Sequence, residues 1–171
     1  VTNAGPVVLI GPMGAGKTSI GKKLSRRLGV PFVDSDRLVV QRHGPIAELF
    51  EHHGEAHFRS LEHAAVVEAL AGAGVVSLGG GAVLDHRTRA SLSGLPVVLL
   101  TVTAEAVESR LAGGSRPLLH RGGIDAWRAI ADERDSVYRS LASVVFDTSH
   151  RPVSTVVDDI ETWLDSERGT A

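Results

Sequence analysis

Gly11-Pro12-Met13-Gly14-Ala15-Gly16-Lys17-Thr18 carries the most specific chemistry in the chain. It fits G-x-x-x-x-G-K-[ST], and it follows the apolar run Val7–Ile10 and precedes a stretch with helical spacing. In that setting glycines let the backbone curl around an oxyanion with its N–H groups turned inward. The helix that follows aims its free amides and positive dipole end at the same place. Gly14, Ala15, Gly16, Lys17, Thr18 and Ser19 are therefore the expected cradle for a nucleoside triphosphate. Lys17 can reach the outer phosphates, and the Thr18 hydroxyl can join a Mg²⁺ shell.

Phe32-Val33-Asp34-Ser35-Asp36 places two carboxylates at the end of a second apolar run. In an open parallel sheet, ligands bind beyond that edge. If the second strand lies beside the first, both carboxylates face the phosphate loop. One could hold Mg²⁺ through water, and the other could take a proton from a hydroxyl attacking the γ-phosphate. Helix capping is the ordinary alternative, since Asp and Ser are good N-cap residues. Beside a phosphate loop, function is favoured for Asp34 and Asp36.

Other residues are less telling singly. Arg59 stands four residues after Glu55 and three before Glu62, the spacing of an exposed ion-pair ladder. Gly79-Gly80-Gly81 ends a third apolar run where a plain turn needs one glycine, which suggests close backbone approach to a bound molecule. Arg116 lies in Ala112–Gly123, a glycine-rich loop of the kind that closes over phosphoryl-transfer sites. Arg139 falls late in a helical stretch and is uninformative alone.

These groups need a scaffold, and the apolar runs supply one. Val7–Ile10, Pro31–Val33, Val75–Leu78, Val97–Val102 and Val144–Phe146 are short and nearly continuous, as strands buried on both faces are. Helical stretches alternate with them: Lys17–Leu28, Asp36–Arg42, Ile46–His53, Glu55–Ala71, His86–Leu92, Ala104–Leu111, Asp125–Leu141 and Val153–Leu164. Alternation of this kind predicts βαβ units, an α/β fold with a parallel sheet and helices on both faces. The excursion between the second and third strands is longer than one crossover needs, so a small helical subdomain over about 36–71 is expected.

Composition narrows the function classes. The 171 residues suit one domain, 1–171. A net charge of -2 provides no basic field for nucleic acid. With no cysteine, disulfides, thiolate metal sites and thiol nucleophiles are excluded. No apolar run approaches the ~20 residues of a membrane span, and VTNAGP does not read as a secretory signal. No membrane partner, a cytoplasmic location and a monomer are expected.

Taken together, the motifs resemble those of shikimate kinases. The resemblance runs in consistent order from about Val7 to Leu164. Its elements are GPMGAGKT, DSD at 34–36, GEAHFR at 54–59, SLGGGAV at 77–83, SRPLL at 115–119 and ERDSVYRSLA at 133–142. It implies a three-layer α/β/α P-loop kinase fold with a five-stranded parallel sheet, a helical substrate-binding subdomain and a mobile lid over about 112–123. It also implies transfer of the γ-phosphoryl group of ATP to the 3-hydroxyl of shikimate, with Mg²⁺ as cofactor. Lys17, Asp36 and Arg116 would be catalytic, and Thr18 and Asp34 would serve the metal. Asp34, Asp36, Arg59, Gly80, Gly81 and Arg139 would bind shikimate, the two arginines as a fork for its carboxylate. Phe50 and Phe58 would wall that pocket, while Arg110, Arg116 and Arg151 would serve the nucleotide. Rival readings are a related kinase acting on gluconate or a nucleoside monophosphate, and an ATP-binding regulatory module.

Overall fold

A computed structural model of the chain describes residues 5–112 and 122–169. Five strands form one parallel sheet: β1 (Val7–Ile10), β2 (Phe32–Asp34), β3 (Val75–Ser77), β4 (Val97–Thr101) and β5 (Val144–Asp147). Their spatial order is β2-β3-β1-β4-β5. β2 does not lie beside β1, because β3 runs between them with Val75 opposite both Val7 and Phe32. β1 is central and wholly buried, which its unbroken apolar run requires. The chain leaves β1 toward β3 and β2, then crosses to β4 and β5. That reversal opens a crevice at the carboxyl edge beside β1.

Among the described residues seven α-helices flank the sheet: α1 (Lys17–Leu28), α2 (Ser35–His43), α3 (Ile46–Leu70), α4 (His86–Ser91), α5 (Ala104–Ala112), α6 (Gly123–Leu141) and α7 (Val153–Gly169). The core is built in separate layers. One cluster packs α1, α5 and α7 on one sheet face through Leu9, Leu24, Val98, Val107 and Ile160. A second covers the other face through Ile10, Val66, Val76, Leu99 and Tyr138. A third, around Val39, Leu49, Phe58 and Ala65, holds α2 against α3 away from the sheet.

Helix α3 breaks internally at Gly54, with φ 79 and ψ 174. That backbone is costly for any residue with a Cβ, so the glycine sets the break and turns the second half of α3 toward the sheet edge. None of the described helices is long and apolar enough to cross a membrane. The stretch 113–121, which includes Arg116 and most of the expected lid, lies outside the described residues.

Candidate active site

The phosphate loop joins β1 to α1, as its sequence context requires. Gly14 and Gly16 sit at φ 83 and 88, in the left-handed region. Helix α1 starts with no side-chain cap and no acidic residue in its first turn. Its first amides are thus left for an external anion. Around them, each carbonyl from Gly11 to Ala15 is held by a donor. Lys17 Nζ donates to Gly11 O at 2.6 Å and Pro12 O at 3.0 Å. Trp127 Nε1 donates to Met13 O at 2.8 Å, and Arg110 to Gly14 O at 2.6 Å. The Thr148 hydroxyl donates to Ala15 O at 2.9 Å. N–H and C=O project oppositely from a trans peptide, so the outside donors on Met13 O and Ala15 O leave the Gly14 and Gly16 amides facing the other way, toward the cradle. Burial pushes the Lys17 ammonium down to about 8, against the opposing pull of Asp36 and Asp34.

Asp34 caps α2 with one oxygen and keeps the other beside Thr18. One oxygen, Oδ1, accepts from the amides of Asp36 at 3.0 Å and Arg37 at 3.2 Å, capping α2. The other, Oδ2, lies 3.3 Å from the Thr18 hydroxyl. Asp36 projects from the first turn of α2 into the cleft. Burial raises its pKa first and the Asp34 carboxylate second, while Lys17 and Arg59 pull it down.

The triple glycine now has a steric cause. A Cβ on Gly79 would stand 2.2 Å from Asp36 Oδ1, and one on Gly81 would stand 2.5 Å from an Arg59 guanidinium nitrogen. Gly79 and Gly81 make room for the Asp36 and Arg59 side chains. Ser35, fully buried, accepts the Gly79 N–H at 3.0 Å and ties the β2 end to the β3 end. Gly79→Ala is expected to fold, since its backbone is not in the left-handed region. Displacing Asp36 by about 1 Å should cost about 10² in kcat, with nucleotide affinity little changed. Steady-state kinetics on the variant checks this, and wild-type turnover would contradict it.

Arg59 is more buried than its ladder spacing implied. Its partner Glu62 is 2% exposed and accepts from Nη1 at 2.5 Å, while Glu55 stands 3.5 Å away in solvent. Burial lifts the Glu62 carboxyl to about 7 against the opposing pull of Arg59. The guanidinium lies 5.2 Å from the Phe58 ring centroid and 6.0 Å from Phe50. Its buried Nε has no acceptor among the described residues, so the group retains a donor. Phe58 is buried and Phe50 is exposed at the rim.

Arg139 does not join Arg59. Its side chain is 56% exposed, paired with Asp135 at 2.7 Å, and does not line the cleft that holds Arg59. Arg134 reaches the cleft instead. Beside it the Tyr138 hydroxyl donates to Gly80 O, and the Arg134 guanidinium opposes the rise that burial imposes on the phenol's pKa. The reason is helix phase: residue 134 shares a face with buried Tyr138 four residues on, whereas 139 is turned by about 100° from 138. That i,i+4 relation was the signal that sequence reasoning passed over. Gly80 and Gly81 do line the cleft, and so do Arg110 and Arg151, Arg110 at the phosphate loop with Thr148. Arg151 is paired with Asp159. The cleft, about 1140 Å³, is continuous from the phosphate loop past Asp36 to Arg59.

The family model described as shikimate kinase matches residues 13–165. A shikimate kinase of Streptomyces coelicolor is 44% identical over 85% of this chain and 86% of its own length. One from Saccharopolyspora erythraea is 43% identical, with 94% of each chain covered. Among solved structures, an Acinetobacter baumannii shikimate kinase in complex with shikimate superposes with a TM-score of 0.87 at 30% identity. That alignment covers 96% of this chain and 95% of the other.

Proposed function

The chain belongs to the shikimate kinase family, and from that premise we propose how its own residues phosphorylate the 3-hydroxyl of shikimate with ATP. The observation that carries the reading is a single cleft. It joins a preformed phosphate loop to Asp36 and to two arginines, Arg59 and Arg134. A carboxylate with hydroxyls suits that arrangement. The arginines would take the acid group, leaving a ring hydroxyl beside Asp36 and the loop.

Transfer is in-line. The hydroxyl oxygen bonds to the γ-phosphorus as the bond to the β-phosphate bridge breaks, releasing ADP. Asp36 orients the hydroxyl and accepts its proton, and its raised pKa brings it closer to a useful base. Lys17 swings from Gly11 O and Pro12 O to the phosphates and meets the charge of the transferring group. The resemblance assigns Arg116 to the same phosphates. Thr18 and Asp34 offer adjacent oxygen donors 3.3 Å apart, a hard-ligand set that fits Mg²⁺. When bound there, Mg²⁺ would neutralise phosphate charge. Arg110 and Arg151 serve the adenine end. The arm over about 36–71 acts as the shikimate-binding subdomain. Arg59 and Arg134 replace the pairing of Arg59 with Arg139 as the carboxylate fork.

An acceptor screen tests the substrate. With MgATP, ADP release should require shikimate, and gluconate or nucleoside monophosphates should give none. Turnover of either rival without turnover of shikimate would overturn the reading. Tight ATP binding with no acceptor at all would favour a regulatory module.

A further inference from the structure

Helix α6 touches both halves of the cleft through one face. Trp127, Arg134 and Tyr138 stand at i, i+7 and i+11, which a 3.6-residue repeat stacks along one stripe. At the nucleotide end the Trp127 indole donates to Met13 O at 2.8 Å. At the acid end the Tyr138 hydroxyl donates to Gly80 O, and Arg134 lines the cleft beside that glycine. Trp127 is only 8% exposed, and Tyr138 only 2%, so both ends of the stripe are fixed by packing. Among the described residues, the other external donors to the loop do not do this. Arg110 on α5 holds Gly14 O, and Thr148 after β5 holds Ala15 O, and neither element carries a group facing Arg59 or Gly80.

We propose that Trp127 is a positioning residue, its indole N–H fixing the phosphate loop against the helix face that presents Arg134 and Tyr138 to the acid. The proposal rests on the reading that ATP and shikimate share this cleft. Its consequence is energetic coupling. An anion that orders the loop at Met13 also orders α6, so shikimate then meets an acid pocket already set. Linkage makes the effect reciprocal. The same indole is not required for either ligand to be recognised, since it touches the loop through a carbonyl and not through the cradle amides.

The test compares wild type with Trp127→Phe, which keeps an aromatic ring and deletes the donor. Calorimetry gives Kd for MgADP and for shikimate, each alone and with the other saturating. The coupling factor is the ratio of shikimate Kd without and with MgADP. One neutral hydrogen bond corresponds to about a three- to tenfold weakening of MgADP. The variant should show that loss, keep shikimate alone within about twofold, and bring the coupling factor toward 1. Kinetically, KM for ATP should rise more than kcat falls. A coupling factor equal to the wild-type value overturns the proposal, as does a wild-type factor of 1. If the Phe variant does not fold, the sulfur analogue of tryptophan, benzothienylalanine, replaces the N–H in a Trp163→Phe chain with the same expectations. Wild-type protein that binds no shikimate would instead remove the functional reading on which the inference stands.

Discussion

Asp36→Asn is expected to lower kcat by about 10²–10⁴-fold while leaving nucleotide affinity nearly intact. The side chain keeps its size, so the close contact with Gly79 survives. What disappears is the lone pair that takes the proton and the negative charge that orients the hydroxyl. Asp36 is also one of the charges that hold Lys17 protonated, so a small change in phosphate affinity is expected alongside. Nucleotide binding depends mainly on the loop amides, which the substitution does not touch. Rapid-quench measurement of phosphoryl transfer separates chemistry from product release. A fall of less than tenfold would remove Asp36 from the proton-transfer step.

Arg59→Ala should raise KM for shikimate by about 10²–10³-fold and that for ATP by no more than a few fold. Two losses combine. The acid loses a charge-assisted donor in a partly dry pocket, where removing one side of a charged pair costs about 2–5 kcal/mol. Glu62 also loses its partner while 2% exposed. Its carboxyl, already lifted to about 7 by burial, then moves higher and takes up a proton. Folding stability should drop as well, by about 3 kcal/mol for a broken buried pair. Arg59→Lys should recover part of the stability but little of the affinity, because an ammonium cannot present two parallel donors. Equal losses for shikimate and ATP would contradict the assignment of Arg59 to the acid.

The phosphate loop was legible because its chemistry is contiguous: strand, glycines, lysine and hydroxyl follow one another along a single turn. The α/β class was legible because strands buried on both faces cannot alternate polar and apolar residues. Sheet order was not, since the segment carrying Asp34 and Asp36 reads the same whether β2 adjoins β1 or lies beyond β3. Asp34 and Asp36 reach the cleft in either case, because every strand of a parallel sheet ends at the same edge. The Arg59–Glu62 spacing looked like a solvent ladder, because i,i+3 pairing says nothing about what packs over it. Here the β3 end and its glycines do. Along α6 it is Arg134 and not Arg139 that lines the cleft, and this was hidden for a similar reason. A few positions along a helix decide which face a side chain presents, and the buried Trp127 and Tyr138 fix the phase. Trp127 gave no motif at all and Ser35 stood inside DSD with no role of its own, since their work is to hold backbone groups of distant segments.

The most direct test of the central claim is a crystal structure of the chain with MgADP and shikimate. The account predicts the shikimate carboxylate within about 3.2 Å of both Arg59 and Arg134, a ring hydroxyl on Asp36 facing the terminal-phosphate position, and Arg139 still turned to Asp135. Shikimate seated away from Asp36, or its carboxylate held by Arg139 with Arg134 turned out of the cleft, would contradict it.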